Sequence, residues 1–156
     1  MKTFLTIIGL FTLAIAGAQP PKNNRQKTPV AVAVKPVFKT SLGNLTDTAT
    51  ILVEELSQLI AVPLRVTDDK KNTYPIISYR LLYTKQGVTE NEEMTKAMPT
   101  SSKASGYFTS TPLPAIWVDN IRQGLKPGEE MLFFDVVVKD PQGKLWFVPS
   151  LKIKTK

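Results

Sequence analysis

Hydrophobic and polar residues alternate in short runs along most of this chain. Val30, Val32 and Val34 recur at every second position and predict a β-strand over residues 29–38. Pro36 has no amide hydrogen, so this strand belongs at a sheet edge or ends near the proline. The pattern therefore predicts that the folded domain begins with β-structure.

Similar runs recur further along the chain, with polar turns between them. Strands are predicted over 63–67 and 74–84, and turns over 41–47 and 68–72. Residues 86–106 are polar and have no period, which predicts a long loop. A loop of this length in a compact domain is either functional or mobile.

One segment has the spacing of a helix. Apolar side chains recur at intervals of three and four over residues 51–60. Glu54 and Glu55 lie near its start, where the helix dipole favours acidic side chains. The segment predicts a short α-helix, and we expect it to be the only helix in the domain.

The most specific local prediction is a hairpin within residues 131–155. Asp140, Pro141 and Gly143 suit a type I turn followed by a left-handed residue, which gives a three-residue loop with a bulge at Gly143. This turn fixes the cross-strand pairs Lys139 with Leu145, Val138 with Trp146, and Val136 with Val148. One wholly apolar face is thereby assigned to the core: Leu132, Phe134, Val136, Val138, Trp146 and Val148.

The outward face of the same hairpin is also largely apolar. It carries Phe133, Val137, Leu145 and Phe147, and a contiguous exposed apolar area usually marks an interaction site. These four residues are the candidate patch for a protein partner or for a second copy of the chain. The alternative is that the helix near Leu56 or the long loop covers this face.

Aromatic residues suggest a second candidate site. Most of them alternate within predicted strands and are assigned to the core. Trp117 lies outside the predicted strands, in the run PLPAIWV, and we expect it to be half exposed. With the loop over 86–106, Trp117 could form a ligand platform, which gives the alternative function of an exported carbohydrate- or peptide-binding module.

The composition excludes several kinds of chemistry. The chain of 156 residues has no cysteine and no histidine, so Ser-His-Asp, Cys-His and His-metal sites are impossible. The acidic doublets 68–69, 92–93 and 129–130 lie in predicted polar turns without the spacing of a metal-binding loop, so they are predicted to be solvated. We assign no catalytic, metal or cofactor residue and expect no enzyme.

Positive charge is concentrated near the N-terminus. The chain has 20 Lys and Arg against 13 Asp and Glu, a net charge of +7. The excess lies before the first acidic residue, Asp47, so the remaining chain is nearly neutral and no nucleic-acid partner is predicted. Residues 19–28 combine prolines with positive charge and lack large apolar side chains, which predicts a disordered basic linker.

The first eighteen residues have the features of a signal peptide. A positive start is followed by an apolar run over 4–15, too short to span a bilayer, and by a small-residue cleavage site over 16–18. We expect cleavage after Ala18, a periplasmic or secreted protein, and no membrane span after cleavage. The folded domain is then predicted over 29–156 as an all-β antiparallel sandwich with one short helix.

The last third of the chain resembles the closing part of the C-terminal domain of the GldM family. That family forms the periplasmic shaft of the gliding-motility and type IX secretion machine. The resemblance covers 124–144 and 148–153, extends back through 64–66 and 77–81, and rests on Lys126-Pro127-Gly128, Phe133 before Val136, Pro141, Gly143 and Pro149-Ser150-Leu151.

This resemblance implies an immunoglobulin-like, non-enzymatic domain that contacts other proteins. One domain and a cleavable signal imply a free-standing relative of the shaft protein rather than the shaft itself. Such a relative is expected to be either an accessory component of a type IX secretion or gliding-type envelope assembly, or an exported domain that shares only the fold. In the GldM-type pattern, polar or charged residues are common at the positions of Val137, Leu145 and Phe147, so their apolar character here requires a reason.

Overall fold

The structure, a computed structural model, describes residues 36–90 and 97–156. The predicted signal peptide over 1–18, the linker over 19–28 and the strand residues before 36 lie outside them. The described residues form ten strands and two helices: β1 (Phe38–Leu42), β2 (Leu45–Thr46), β3 (Thr48–Ile51), α1 (Val53–Leu59), β4 (Leu64–Asp68), β5 (Thr73–Tyr74), β6 (Ile76–Glu90), β7 (Ala97–Phe108), α2 (Ala115–Gly124), β8 (Glu130–Lys139), β9 (Leu145–Val148) and β10 (Leu151–Thr155).

The strands form two sheets. The smaller sheet has the order β2-β1-β4-β5 and is antiparallel. The larger sheet has the order β3-β10-β8-β6-β7, and β9 pairs with β8 beyond the end of β10. The β3–β10 pair is parallel, whereas every other pair in this sheet is antiparallel.

One hydrophobic core joins the two sheets into a mostly-β sandwich. Phe38 of β1 packs against Trp146 of β9, with ring centroids 5.9 Å apart. Apolar side chains of both sheets are buried in one cluster, among them Leu42, Val66, Leu81, Val136 and Ile153. The predicted β-rich sandwich is confirmed at this level.

The predicted first helix is confirmed, but the expectation of a single helix is wrong. α1 lies within residues 51–60 and buries Leu56. α2 buries Val118 and Ile121, at a spacing typical of helices. It was missed because the prolines and β-branched residues at its start favour extended structure, although a proline is well tolerated at a helix N-terminus.

The prediction of a loop over 86–106 is also wrong. β6 and β7 continue through this segment as one antiparallel hairpin, paired from Tyr79 with Phe108 to Glu90 with Ala97. Its outer part lies beyond β8, so Val88 and Met98 are both exposed. Strands that bury neither face need no apolar alternation, which explains why the sequence showed no period here.

A β-bulge in β8 changes which residues face the core. Asp135 has a positive φ of 49°, and the pairing between β6 and β8 shifts beside it. Met131 and Phe133 are therefore buried before the bulge, and Val136 and Val138 after it. The prediction that Leu132 and Phe134 share the core face is wrong, and so is the outward placement of Phe133.

The β8–β9 hairpin itself is confirmed. Val136 pairs with Val148, Val138 with Trp146, and Lys139 with Leu145, as predicted. The amide of Gly143 donates to the carbonyl of Asp140 at 2.9 Å, and Gly143 has a φ of 86°. The turn therefore has the left-handed residue that the sequence indicated.

The substitution Gly143→Val is expected to lower the free energy of unfolding by about 1 kcal/mol or more, because a branched side chain is strained at positive φ. A Cβ at Gly143 would lie 3.6 Å from Cε of Lys139, an ordinary contact, so the loss would come from the backbone. Chemical denaturation measures it, with Gln142→Val at the neighbouring exposed position as control. Equal unfolding midpoints for the two variants would contradict the left-handed turn.

Candidate functional site

Three of the four predicted patch residues lie on the outward face of the β8–β9 hairpin. Phe147 is 77% exposed and Leu145 is 57% exposed, while their neighbour Val137 is half-buried and pairs with Phe147. We call Val137, Leu145 and Phe147 the hairpin patch.

The fourth predicted residue, Phe133, does not belong to this patch. It is 1% exposed and packs near Tyr79, with ring centroids 6.1 Å apart. The bulge at Asp135 reverses the alternation between Phe133 and Val137, which places the two side chains on opposite faces of β8. Sequence reasoning had assumed uninterrupted alternation along the strand.

A positive side chain borders the hairpin patch. Lys139 is the cross-strand partner of Leu145 and is exposed. Lys144 points to the opposite face of the hairpin, where its Nζ lies 3.8 Å from the centroid of the Trp146 ring. An apolar centre with a charged border is the usual composition of a protein-binding surface.

The carboxylate of Asp140 fixes the turn that carries the patch. It accepts hydrogen bonds from Nε1 of Trp146 at 2.9 Å and from the amides of Lys144 at 2.8 Å and Gln142 at 3.0 Å. The bond from Trp146 contributes most to lowering the pKa of Asp140 below its ordinary value. These hydrogen bonds fix the turn that directly precedes β9, the strand that carries Leu145 and Phe147.

A second candidate site lies between α2 and the outer part of the β6–β7 hairpin. It consists of two cavities of about 470 and 510 Å³. Both are lined by Lys85, Gln123 and Gly124, so they are adjacent. We call the two together the α2 cleft; its other polar lining residues include Gln86, Ser101, Ser102, Asn120, Lys126 and Glu129.

Trp117 lines one wall of the α2 cleft. Its ring is half-buried and packs edge-on against Phe108, with centroids 5.3 Å apart. Ala104 of β7 lines the same cavity, so Trp117 does lie beside the 86–106 segment, as the ligand-platform prediction required. That segment contributes a strand here instead of the predicted loop.

The ammonium group of Lys85 lies at the centre of the cleft. Its Nζ is 5.4 Å from the centroid of the Tyr83 ring. Gly124 is the last residue of α2, and a Cβ there would lie 3.1 Å from this Nζ. The helix therefore ends in a glycine that leaves room for the ammonium, near the negative end of the helix dipole.

A buried acid lies at the floor of the cleft. The hydroxyl of Tyr83 donates to the carboxylate of Glu129, whose residue is 2% exposed. Burial, and then this hydrogen bond, raises the pKa of Tyr83 above its ordinary value. The prediction that Glu129 is solvated is wrong, because β8 begins beneath the β6–β7 hairpin and turns this side chain inward.

Asp68 likewise departs from the prediction of solvated acidic doublets. It is 8% exposed, at the end of β4, and its carboxylate accepts hydrogen bonds from Nδ2 of Asn72 at 2.9 Å and the hydroxyl of Tyr74 at 3.0 Å. The amides of Lys70 and Asn72 donate to the same carboxylate. Asp68 thus closes a turn. Glu92 and Glu93 lie outside the described residues.

Within 36–90 and 97–156, no group of three or more His, Cys, Asp and Glu side chains is placed to hold a metal ion. The same residues include no helix that is long and apolar enough to cross a membrane. No protein-family model and no curated protein matches this chain.

Proposed function

We propose that this protein is a non-enzymatic, exported interaction domain that binds a partner protein through the hairpin patch. The observation that supports this proposal is the exposure of Phe147, at 77%, beside Leu145, at 57%, on one face of β9. Both side chains lie on β9, directly after a turn that Asp140 holds in place, so little ordering is needed on binding. A contiguous apolar surface of this kind typically marks a binding site.

The charges around the patch favour a different protein over a second copy of this chain. Symmetric pairing through the patch would bring an exposed Lys139 from each of the two copies into the same interface, which is electrostatically unfavourable. The partner we propose has an apolar pocket for Phe147 with acidic side chains around it. Such a surface would complement both the centre and the border of the patch.

The proposed export of this protein and the proposed cellular location of its partner both rest on the sequence. Residues 1–18 support export to the periplasm or beyond. The resemblance of 124–144 and 148–153 to GldM supports an immunoglobulin-like sandwich that serves as an accessory component of a type IX secretion or gliding-type envelope assembly. The partner is then expected among the envelope proteins.

The double substitution Leu145→Glu with Phe147→Glu is expected to abolish partner binding and leave the melting temperature nearly unchanged, because both side chains are exposed. Envelope proteins are captured on the immobilised wild-type and variant domains. The proteins that the wild type retains and the double variant does not are then identified by mass spectrometry. Ile116→Glu is the control, since Ile116 is 65% exposed on α2 and lies outside the patch.

Two results would contradict this proposal. If the double variant unfolds, the patch belongs to the core. If the double variant captures the same proteins as the wild type and Ile116→Glu, the patch does not bind them. Sedimentation velocity distinguishes self-association, because a dimer that the double variant loses would identify a second copy as the partner.

A further inference from the structure

We propose that the α2 cleft binds an acidic saccharide, a hydroxylated ring that carries a carboxylate. This site is separate from the hairpin patch and does not depend on the proposed protein partner. Each of its two adjacent cavities, about 470 and 510 Å³, is within the usual size range for small-ligand sites, roughly 300–1,000 Å³.

The charge of the cleft favours an anionic group on the ligand. Lys85 lines both cavities and Lys126 lines the second. The ion pairs seen among described side chains use Arg80, Lys152 and Lys154, and none of them includes Lys85 or Lys126. A carboxylate at the centre of the cleft would therefore meet the Lys85 ammonium.

One acid, Glu129, also lines the cleft, against the two lysines Lys85 and Lys126. Glu129 is 2% exposed, and its carboxylate already accepts a hydrogen bond from the Tyr83 hydroxyl. Its backbone amide donates to Oγ1 of Thr155 at 2.9 Å, which ties this segment to β10. Because Glu129 is buried whereas Lys126 is exposed and Lys85 is half-buried, the charged side chains that a ligand could contact are the two lysines.

The neutral groups of the cleft favour a sugar over a simple anion. The amides of Gln86, Asn120 and Gln123 each offer donors and acceptors, which suits the hydroxyl groups of a saccharide. Ser101 and Ser102 add hydroxyls at the second cavity. An inorganic anion would need donors only, whereas this lining provides both kinds of partner.

An apolar wall completes the arrangement. Trp117 and Ala104 line the first cavity together with the polar side chains of Asn120 and Gln123. Aromatic side chains pack well against the C–H face of a sugar ring, while polar groups bind its edge. The cleft thus combines two cations, several amides and an aromatic wall, the groups that an acidic sugar requires.

Binding of digalacturonate to the purified protein, measured by calorimetry and by NMR shift changes, tests the proposal. We expect saturable binding, with the largest shifts at Lys85, Asn120 and Trp117. Lys85→Gln should weaken binding at least tenfold. Lys103→Gln is the matched control, because it removes the same charge from the same hairpin, where Lys103 pairs with Thr84 and is exposed.

A second variant tests the position of the ammonium without removing it. Gly124→Ala should also weaken digalacturonate binding, since its Cβ would lie 3.1 Å from Nζ of Lys85 and displace it. Alanine is favourable in a helix, so the variant should remain folded. Melting curves of all variants confirm that each is folded before binding is compared.

Four results would overturn the proposal. They are no binding at millimolar digalacturonate, equal binding of the corresponding neutral galactose disaccharide, equal binding of triglutamate, and equal weakening by Lys85→Gln and Lys103→Gln. Binding of triglutamate would identify an acidic peptide as the ligand class. None of these results bears on the hairpin patch, because no residue of the patch lines the cleft.

Discussion

Phe133→Ala is expected to lower the free energy of unfolding by about 3–5 kcal/mol, whereas Phe147→Ala should change it little. The two phenylalanines lie on the paired strands β8 and β9, yet one is 1% exposed and the other 77%. Removing the Phe133 ring would leave a cavity beside Tyr79, while the Phe147 ring already contacts solvent over most of its surface. Urea denaturation of both variants measures the difference.

This pair of substitutions also tests the β-bulge. Without the bulge at Asp135, strict alternation along β8 would place Phe133 on the same face as Val137 and Phe147. Phe133→Ala would then be nearly neutral. A small effect at Phe133 would therefore contradict the bulge and return this residue to the exposed patch.

The folded protein is expected to unfold cooperatively at alkaline pH, between about pH 10 and 12. Burial raises the pKa of Tyr79 from 10.0 to about 12, and burial also raises the pKa of Tyr83. Above pH 10 the unfolded chain releases phenol protons that the folded chain retains, so unfolding becomes more favourable as the pH rises. The stabilisation that the phenols of Tyr79 and Tyr83 contribute is complete below the pKa of tyrosine in the unfolded chain. It is lost as the pH rises through their higher pKa values in the folded protein.

Circular dichroism and phenolate absorbance, followed together against pH, measure this transition. Tyr79→Phe should move its midpoint to higher pH, because the variant keeps the buried ring and loses one titrating group. The Tyr79 hydroxyl donates to the carbonyl of Ser110, at 3.2 Å, and Ser110 is exposed, so water can replace that bond. Tyr107→Phe, at a side chain 63% exposed, is the control. A folded protein in which all tyrosines titrate near pH 10 would contradict the prediction.

The parts of the fold that were predictable are those fixed by local chemistry. The turn at Asp140 and Gly143 determines its own register, because few sequences suit a left-handed residue after a type I turn. The helix around Leu56 was predictable for a similar reason, since its apolar spacing and its acidic first turn lie within one short segment.

The bulge in β8 could not be predicted from apolar pattern alone. Apart from Asp135, residues 131–138 are apolar at both alternations, so the pattern alone did not show that the buried face changes along the strand. The available signal was Asp135, a residue type that tolerates positive φ, in the middle of an otherwise apolar strand. This single residue decided which candidate patch residues were placed correctly.

The α2 cleft was only partly predictable. Trp117 and the segment 86–106 were recognised, but Lys85, Gln123 and Glu129 were not. These three come from β6, α2 and the start of β8, and no short-range pattern brings them together. Glu129 resembled a solvated turn residue because its partner, Tyr83, is distant in sequence.

The position of β10 bears on when this protein can fold. Although it is the last strand of the chain, it lies between β3 and β8, and its Leu151 and Ile153 are fully buried. Until β10 has been synthesised, β3 has no neighbour in its sheet and β8 has an open edge along residues 130–133. The growing chain therefore cannot complete the larger sheet before residues 151–155 are present. A premature stop just before residue 151 would leave an open, aggregation-prone chain in place of a slightly shorter domain.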